Sequence, residues 1–146
     1  MPRKHDTKVE LLGGVSLFRG CNRKELAQIA ALTTEIDVPA GDALCKEGQP
    51  GREFFVVVDG KATVAIGGKE IDAIGPGNFC GEMALLDGGP RIATVTASTP
   101  MQLLVLSSQE FNSLLDDAPA VARSMLKTIG GRLRRAETQE APAVGV

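Results

Sequence analysis

The chain has 146 residues, of which 43% are hydrophobic, and this length allows one hydrophobic core but not two domains of ordinary size. Its formal net charge of −2 excludes a general attraction to polyanions, so any anion site must be built from local groups. No apolar run approaches the roughly 20 residues that span a bilayer, and the N-terminus lacks the apolar middle of a signal peptide. We therefore expect one soluble, cytoplasmic domain that binds neither nucleic acid nor membrane.

The cysteine and histidine content limits the chemistry further. Cys21, Cys45 and Cys80 are an odd number and are spaced too widely for a CxxC element, so reduced thiols are expected. His5 is the single histidine and lies in a polar stretch. A histidine metal site needs several histidines, and a Ser-His-Asp site needs its histidine in a defined arrangement, so a single histidine in a polar N-terminal stretch removes most metal and hydrolase chemistry. No cofactor and no metal are expected.

Residues 9–34 are predicted to be helical. Asn22 can cap a helix with Glu25 three residues later, in the pattern of a capping box. Three apolar residues then fall on one face: Leu26, Ile29 and Ala30. A shorter helix is expected before this one, around residues 9–15.

Residues 35–106 have the pattern of short β-strands separated by glycine-rich turns. Gly60-Lys61 and Gly67-Gly68 each separate two such segments, and both pairs predict tight antiparallel hairpins because glycine reaches the positive φ of primed turns. About eight strands are expected, the number typical of a jelly roll. The predicted fold is mainly β: an eight-stranded antiparallel β-roll with N-terminal helices and two C-terminal helices.

The two C-terminal helices are predicted within residues 107–135. Ser107 and Glu110 can cap the first, whose apolar face is Phe111, Leu114, Leu115 and Ala118. The second restarts at Pro119, and its predicted apolar face is Ala122, Met125, Leu126, Ile129 and Leu133.

Two features are expected near the end of the chain. Gly130-Gly131 should let the last helix fray or hinge, because each glycine costs about 1 kcal/mol relative to alanine. Residues 136–146 have no periodic pattern and are predicted to form a flexible tail.

The chemistry is concentrated in residues 79–95, FCGEMALLDGGPRIATV. The run from Gly81 to Leu86 is typical of a short helical turn entered through a glycine, which presents backbone N–H groups to an anion. Arg91 can pair two phosphate oxygens with its planar guanidinium. Glu82 would repel a phosphate, but it is explained if it accepts a hydrogen bond from a ribose hydroxyl. Ribose and phosphate together indicate a nucleotide.

This segment resembles the phosphate-binding cassette of the cyclic-nucleotide-binding domain family, whose pattern is approximately F-G-E-x-A-L-(I/L)-x-x-x-P-R-x-A-(T/S)-V. Residues 38–64 are similar to the opening strands of that family, and the resemblance covers residues 11–135. It implies a domain like those of catabolite-activator-type regulators, kinase regulatory subunits and cyclic-nucleotide-gated channels. The resemblance implies a sensor and not an enzyme.

Carried over by motif position, the resemblance also implies roles for individual residues. Glu82 would accept from the ribose 2′-OH, and Arg91 would bind the cyclic phosphate. The phosphate cradle would include the backbone of Gly81, Met83, Ala84 and Ile92. Two apolar strand residues would contact the base: Val64 and Ile71. Three residues of the last helix are lid candidates by spacing: Leu126, Ile129 and Arg132.

The residue after the arginine bears on the choice of base. Family members that favour cyclic GMP often have Thr or Ser there, whose hydroxyl can meet the guanine 2-amino group. This chain has Ile92, which offers neither a donor nor an acceptor. The expected ligand is therefore cyclic AMP, with cyclic GMP as the weaker one.

Several alternatives stay open at this stage. The chain could be a degenerate β-roll that has lost its ligand and serves as a protein-interaction module, or a cupin-like enzyme, although cupins need clustered histidines. Cys80 is interpreted as a small core residue, with a redox role as the alternative. Ligand binding is expected to reposition the C-terminal helices. The partner is then an unknown effector protein, or a second copy bound through the last helix.

Overall fold

The computed structural model describes the backbone of residues 4–86 and 88–139, with side chains for residues 7–82, 85, 86, 88–131, 133 and 134. Two helices and a 3-10 turn come first: α1 (Lys4–Gly13), the turn Ser16–Phe18, and α2 (Arg23–Ala30). Six strands follow: β1 (Thr34–Val38), β2 (Ala43–Cys45), β3 (Glu53–Asp59), β4 (Ala62–Ile66), β5 (Lys69–Ile74) and β6 (Phe79–Cys80). The remaining elements are α3 (Glu82–Leu86), β7 (Thr94–Ala97), β8 (Met101–Ser107), α4 (Ser108–Asp117) and α5 (Pro119–Gln139).

The eight strands of the described chain form two four-stranded antiparallel sheets. The first sheet has the order β1-β8-β3-β6, and the second has the order β2-β7-β4-β5. The predicted eight-stranded antiparallel roll with helices at both ends is therefore confirmed. Because β6 lies in the first sheet and β7 in the second, residues 81–93 connect the two sheets.

Only one of the two predicted hairpins forms. Gly67-Gly68 joins β4 to β5, with Ile66 opposite Lys69 and φ values of 60° and 80° at the two glycines. The prediction for Gly60-Lys61 is wrong, because β3 and β4 belong to different sheets. Gly60 has a φ of 93°, and a Cβ there would lie 2.8 Å from the Cα of Met101. Glycine is needed at this position for the chain to cross closely beside the start of β8 on its way between the sheets.

The capping box predicted for α2 is present. The Asn22 side chain accepts from the Glu25 N–H at 2.9 Å, and Glu25 Oε1 accepts from the Asn22 N–H at 2.8 Å. Ile29 and Ala30 are fully buried, as predicted for this face. Glu25 itself is only 6% exposed, and the Ser124 hydroxyl of α5 hydrogen-bonds to its carboxylate, so α2 and α5 are tied together.

The predicted cap of α4 is also found. The Ser107 hydroxyl accepts from the Glu110 N–H at 3.1 Å, and α4 begins at the next residue. Phe111 is completely buried, whereas Leu114 and Leu115 are half-buried.

The last helix differs from its prediction in length. α5 continues through Gly130-Gly131 without a break and ends at Gln139, so residues 136–139 of the predicted tail are helical. Packing of the helix against the N-terminal helices and the helix-forming residues around the glycines outweigh their cost of about 1 kcal/mol each. Residues 140–146 lie outside the described residues.

The buried face of α5 also differs in part from the prediction. Met125 is buried as expected, and Val121, which the pattern did not include, is completely buried. Leu126 and Leu133 are 67% and 60% exposed, so only part of the predicted apolar face is buried in this chain. Residues 121 and 125 are one turn apart and face the N-terminal helices, while position 126 is rotated by about 100° from 125.

The first sheet separates two apolar clusters because side chains alternate along β3. Phe54 and Val56 face the helices, where Phe54 packs edge-on against Phe18 with a ring-centroid distance of 5.7 Å. Phe55 and Val57 face the second sheet, inside the roll. None of the helices in the described part of the chain is both long and apolar enough to cross a membrane.

Candidate functional site

A cavity of about 230 Å³ lies between the second sheet and the segment that links the two sheets. The sheets contribute Cys45, Val64, Asp72, Ile74, Phe79 and Val95 to its walls. The remaining wall consists of Cys80, at the end of β6, and of Gly81, Glu82, Gly89, Pro90, Arg91, Ile92 and Ala93 in the linking segment. The structure therefore brings most of the residues predicted from the 79–95 segment to one cavity.

The cavity wall at Gly81 leads directly into α3. Gly81 has a φ of 87°, a conformation that favours glycine, and α3 begins at Glu82, as the sequence predicted. Leu85 is only 6% exposed and anchors this short helix on the core. The first N–H groups of a helix have no partner within the helix, so they are available to an acceptor. Met83 and Ala84 belong to α3 by their backbone, and their side chains lie outside the described residues.

The guanidinium group of Arg91 packs against residues of the roll. Nη2 donates to the Glu53 carbonyl oxygen at 2.9 Å, and the guanidinium carbon lies 5.8 Å from the centroid of the Phe55 ring. Two glycines leave room for it: a Cβ at Gly81 would lie 2.6 Å from Nη1, and a Cβ at Gly51 would overlap the guanidinium. The group is thus held in place on three sides.

The other terminal nitrogen of Arg91 has no such partner. Nη1 is buried and makes no hydrogen bond to any residue that the structure describes. A buried charged donor without an acceptor costs free energy, because it loses the hydrogen bonds that water would supply. Since Arg91 lines the cavity, an anionic ligand bound there would supply the missing acceptor.

The backbone of Arg91 is fixed by the loop that follows β2. The Gly48 N–H donates to the Arg91 carbonyl at 2.8 Å, and the Arg91 N–H donates to the Gln49 carbonyl at 2.9 Å. Pro50 and Pro90 form an isolated β-bridge beside these bonds. The position of Arg91 therefore depends on residues 46–51 as well as on its own segment.

Glu82, Ile92 and Val64 also line the cavity, but Ile71 does not. A regular hairpin with Ile66 opposite Lys69 would place Ile71 opposite Val64. Instead the β4–β5 ladder contains a β-bulge, so Val64 faces Asp72. Ile71 is consequently 55% exposed, and Asp72 lines the cavity where Ile71 was predicted to do so.

The lid candidates lie elsewhere in this structure. Leu126 is 67% exposed and Ile129 packs against the helical cluster, while neither lines the cavity. The side chain of Arg132 lies outside the described residues. Besides the Ser124 contact with Glu25, α5 is held through the Thr128 hydroxyl, which accepts from the Gly20 N–H at 3.1 Å.

Several residues of the site were not predicted from the sequence. Gly51, the Glu53 carbonyl and Phe55 position Arg91, although they are about 40 residues away along the chain. No local pattern signals them, because their role follows from the pairing of the strands. Cys45 could have been placed near the cavity only once β2 was known to pair with β7.

Cys45 and Cys80 meet at the cavity wall, with their side chains in hydrogen-bonding contact. The hydrogen bond from Cys80 lowers the pKa of Cys45, whereas the same bond, with burial, raises the pKa of Cys80 well above its usual value. Within the described residues, no three His, Cys, Asp or Glu side chains are arranged to hold a metal ion.

Comparison with known proteins identifies the class of this domain. Residues 35–118 match the family model of the cyclic nucleotide-binding domain, which is more than half of the chain. The chain belongs to the cyclic nucleotide-binding domain family, and the resemblance seen in the sequence is confirmed.

Individual relatives agree with this assignment. A cyclic nucleotide-gated potassium channel of Rhizobium etli is 38% identical over 119 residues, which are 82% of this chain and 33% of the channel. The N-terminal domain of a transcriptional regulator from Streptomyces coelicolor A3(2) superposes with a TM-score of 0.77 at 32% identity, covering 84% of this chain and 90% of that domain. The regulatory domain of Toxoplasma gondii PKA, solved with cAMP, gives a TM-score of 0.73 at 27% identity, covering 97% and 56% of the two chains. The chain spans about a third of the length of the curated channel that it matches.

Proposed function

We propose that this chain is a non-catalytic sensor that binds a cyclic nucleotide in the cavity, with cyclic AMP preferred over cyclic GMP. The observation that carries the proposal is Nη1 of Arg91, a buried cationic donor without a partner among the described residues, in the wall of the cavity. The family and the cAMP-bound state of the Toxoplasma neighbour support this ligand class.

Different residues of the cavity bind the phosphate, the ribose and the base. Nη1 of Arg91 donates to the cyclic phosphate, and the N–H groups at the start of α3 add further donors. Glu82 accepts from the ribose 2′-OH, because a hydroxyl is the donor that a carboxylate next to a phosphate site can bind. Val64 and Ile92 supply apolar contacts for the base. These groups bind and orient the ligand, and none of them is proposed to break a bond.

The preference for cyclic AMP rests on Ile92. This side chain lines the cavity and is 68% exposed, so it is available to a ligand. It has no group that could pair with the guanine 2-amino group, which would therefore lose a water hydrogen bond without a replacement. Cyclic GMP should bind more weakly for this reason.

Coupling to an effector is proposed to run through α5. In this structure the Ser124 and Thr128 side chains hold α5 to α2 and to the turn at Gly20 that precedes it, away from the cavity. A ligand shifts α5 only if it binds the two helix arrangements unequally, and such couplings are usually about 1–3 kcal/mol. The moving helix then signals to an effector protein or to a second copy of the chain.

Calorimetric titration with cyclic AMP and cyclic GMP tests the ligand and the site together. We expect Arg91→Ala to weaken cyclic AMP binding by about 100-fold, since a charged hydrogen bond and its geometry are lost. Arg91→Lys should recover little, because lysine lacks the planar fork. Arg23→Ala is the matched control, since Arg23 is exposed at the start of α2. If Arg91→Ala binds cyclic AMP as tightly as the parent protein does, the proposed site is wrong.

Hydrogen–deuterium exchange tests the coupling separately. Saturating cyclic AMP should change exchange in α5 and in the 79–95 segment, with β8 as the internal reference. Protection of the 79–95 segment with no change in α5 would leave the ligand site intact and exclude the coupling.

A further inference from the structure

Two thiols from different sheets lie together in the apolar cluster inside the roll. Cys45 ends β2 in the second sheet, where it pairs with Val95, and Cys80 ends β6 in the first sheet, where it pairs with Phe55. Both line the cavity, and their side chains are in hydrogen-bonding contact. Neither is in a disulfide in this structure. The contact therefore joins two sheets that share no strand pairing at this point.

Both cysteines are next to segments that contact Arg91, the residue proposed to bind the anion. Cys80 is followed by Gly81, which touches the guanidinium of Arg91. Cys45 is followed by the loop 46–51, whose Gly48 and Gln49 hydrogen-bond to the Arg91 backbone. A covalent bond between the two sulfur atoms would link the two segments that hold Arg91 in place.

The surroundings make the two thiols chemically unequal. The hydrogen bond donated by Cys80, and the positive charge of Arg91, lower the pKa of Cys45. The same hydrogen bond and burial raise the pKa of Cys80 well above that of a free thiol. Because the thiolate is the reactive form, Cys45 is the attacking group and Cys80 the resolving group.

We propose that Cys45 and Cys80 form a reversible disulfide when the protein meets a peroxide, and that this bond weakens ligand binding in the adjoining cavity. The disulfide rests on the placement of both thiols in one cavity wall and in one apolar cluster inside the roll. The effect on binding rests on the proposed function.

The chemistry balances with hydrogen peroxide as the oxidant. The Cys45 thiolate attacks one peroxide oxygen, the O–O bond breaks, and the departing hydroxide takes up the proton that Cys45 released, which gives water and a sulfenic acid on Cys45. Cys80 then attacks the Cys45 sulfur, the S–OH bond breaks, and the hydroxide leaves with the Cys80 proton as a second water. The two thiols lose two electrons and the peroxide gains them. A dithiol reductant reverses the reaction.

The expected effect on the cavity follows from distances. A disulfide bond is about 2.05 Å long, much shorter than a thiol–thiol hydrogen bond, so oxidation draws the end of β6 towards β2. This movement carries Gly81, which lies so close to the Arg91 guanidinium that there is no room for a side chain between them. Gly81 and the guanidinium must then shift relative to each other, and the anion site loses its geometry. Typical couplings of this kind change affinity by roughly tenfold.

Peptide mapping tests the bond. Reduced protein is treated with hydrogen peroxide, its remaining thiols are blocked with N-ethylmaleimide, and the unreduced digest is examined by mass spectrometry. We expect a linked peptide that contains Cys45 and Cys80, lighter by two hydrogen atoms, with Cys21 recovered in the blocked form. The proposal is overturned if Cys45 and Cys80 are recovered as separate thiols or sulfinic acids, or if either is linked to Cys21.

Titration of the oxidised and the dithiothreitol-reduced protein with cyclic AMP tests the effect on binding. We expect roughly tenfold weaker binding after oxidation and full recovery after reduction. Cys21→Ser should behave like the parent protein, whereas in Cys45→Ser and Cys80→Ser peroxide should leave the affinity of each variant unchanged. If a serine variant does not fold, reversal by dithiothreitol in the parent protein decides the question.

The outcomes separate this proposal from the proposed function. A linked peptide with the same affinity in both redox forms refutes the effect on binding. A reduced protein that binds neither cyclic AMP nor cyclic GMP refutes the proposed function, and with it the control of binding, while the linked peptide still establishes the disulfide.

Discussion

Arg91 and Gly81 are in direct contact: a Cβ added at position 81 would lie 2.6 Å from Nη1 of Arg91. The same added atom would lie 2.6 Å from the Glu53 carbonyl oxygen, which accepts the hydrogen bond from Nη2. Gly81 is therefore the point at which the guanidinium, strand β3 and the start of α3 meet. A side chain there must displace at least one of them.

Gly81→Ala should lower both the free energy of unfolding and the affinity for cyclic AMP. Gly77→Ala is the matched control, because Gly77 has the same φ of 87° but no atom within 4 Å of an added Cβ. Both variants should lose about 1 kcal/mol from the left-handed backbone, but only Gly81→Ala should lose further stability through the clash and should also lose binding. Urea denaturation and calorimetry measure the two effects. Equal losses in both variants would show that the contact with Arg91 is unimportant.

Gly51→Ala should weaken cyclic AMP binding by about tenfold, because a Cβ at this position overlaps the Arg91 guanidinium and forces it to move. Gly51 does not have a positive φ, so backbone strain is not part of the effect. Gly75→Ala serves as the control, since its added Cβ would meet nothing closer than 3.9 Å. Binding by Gly51→Ala at the parent affinity would mean that Arg91 adapts without cost.

Ser124→Ala should destabilise the fold by about 1–3 kcal/mol, because it removes the hydroxyl that donates to the buried Glu25 carboxylate at 3.0 and 3.2 Å. It should also increase deuterium exchange in α5. Ser113→Ala is the comparison, since the Ser113 hydroxyl is exposed and bonds only within α4. If the two variants have the same urea midpoint, the link between α2 and α5 contributes nothing to stability.

Gly130→Ala should raise the free energy of unfolding by about 0.5–1 kcal/mol. Gly130 lies inside α5, and an added Cβ would have no atom within 4 Å, so the substitution removes chain entropy without a clash. Thermal unfolding measures the change. A lower melting temperature would indicate that the helix needs to bend at this residue.

Stability should fall at alkaline pH through Cys21. Burial, with the negative charge of Glu25 nearby, raises the pKa of Cys21 from 9.0 to about 11. The native state therefore holds this proton more tightly than the unfolded chain, and the free energy of unfolding decreases as pH rises from 9.0 towards about 11. Cys21→Ser should show a smaller decrease over this range. If the free energy of unfolding falls equally with pH in the two proteins, the pKa of Cys21 is not raised in the native state.

The sequence predicted those parts of the fold that depend on neighbouring residues. The caps at Asn22 and Ser107 are local patterns of a polar residue and a glutamate three positions later, and both form as expected. The turn at Gly67-Gly68 and the entry to α3 through Gly81 are equally local. The order of residues in the 79–95 segment was specific enough to identify the family.

The parts that were missed depend on contacts between distant segments. The β-bulge that puts Asp72 and not Ile71 opposite Val64 has no signature in the alternation of apolar residues. Gly60 looks like a hairpin glycine, but its positive φ serves a crossing between two sheets beside Met101. The buried face of α5 is set by where the N-terminal helices pack, which the periodicity of one helix cannot reveal.

The link from β6 to β7 makes the proposed anion site dependent on how the two sheets pack against each other. The guanidinium of Arg91 contacts Phe55 and Glu53 of the first sheet, whereas Val64 and Val95, which also line the cavity, belong to the second. Substitutions among interior residues such as Leu103, which never touch a ligand, should therefore tune affinity by changing the spacing of the sheets. Ligand affinity can thus evolve from inside the roll while every contact residue stays the same.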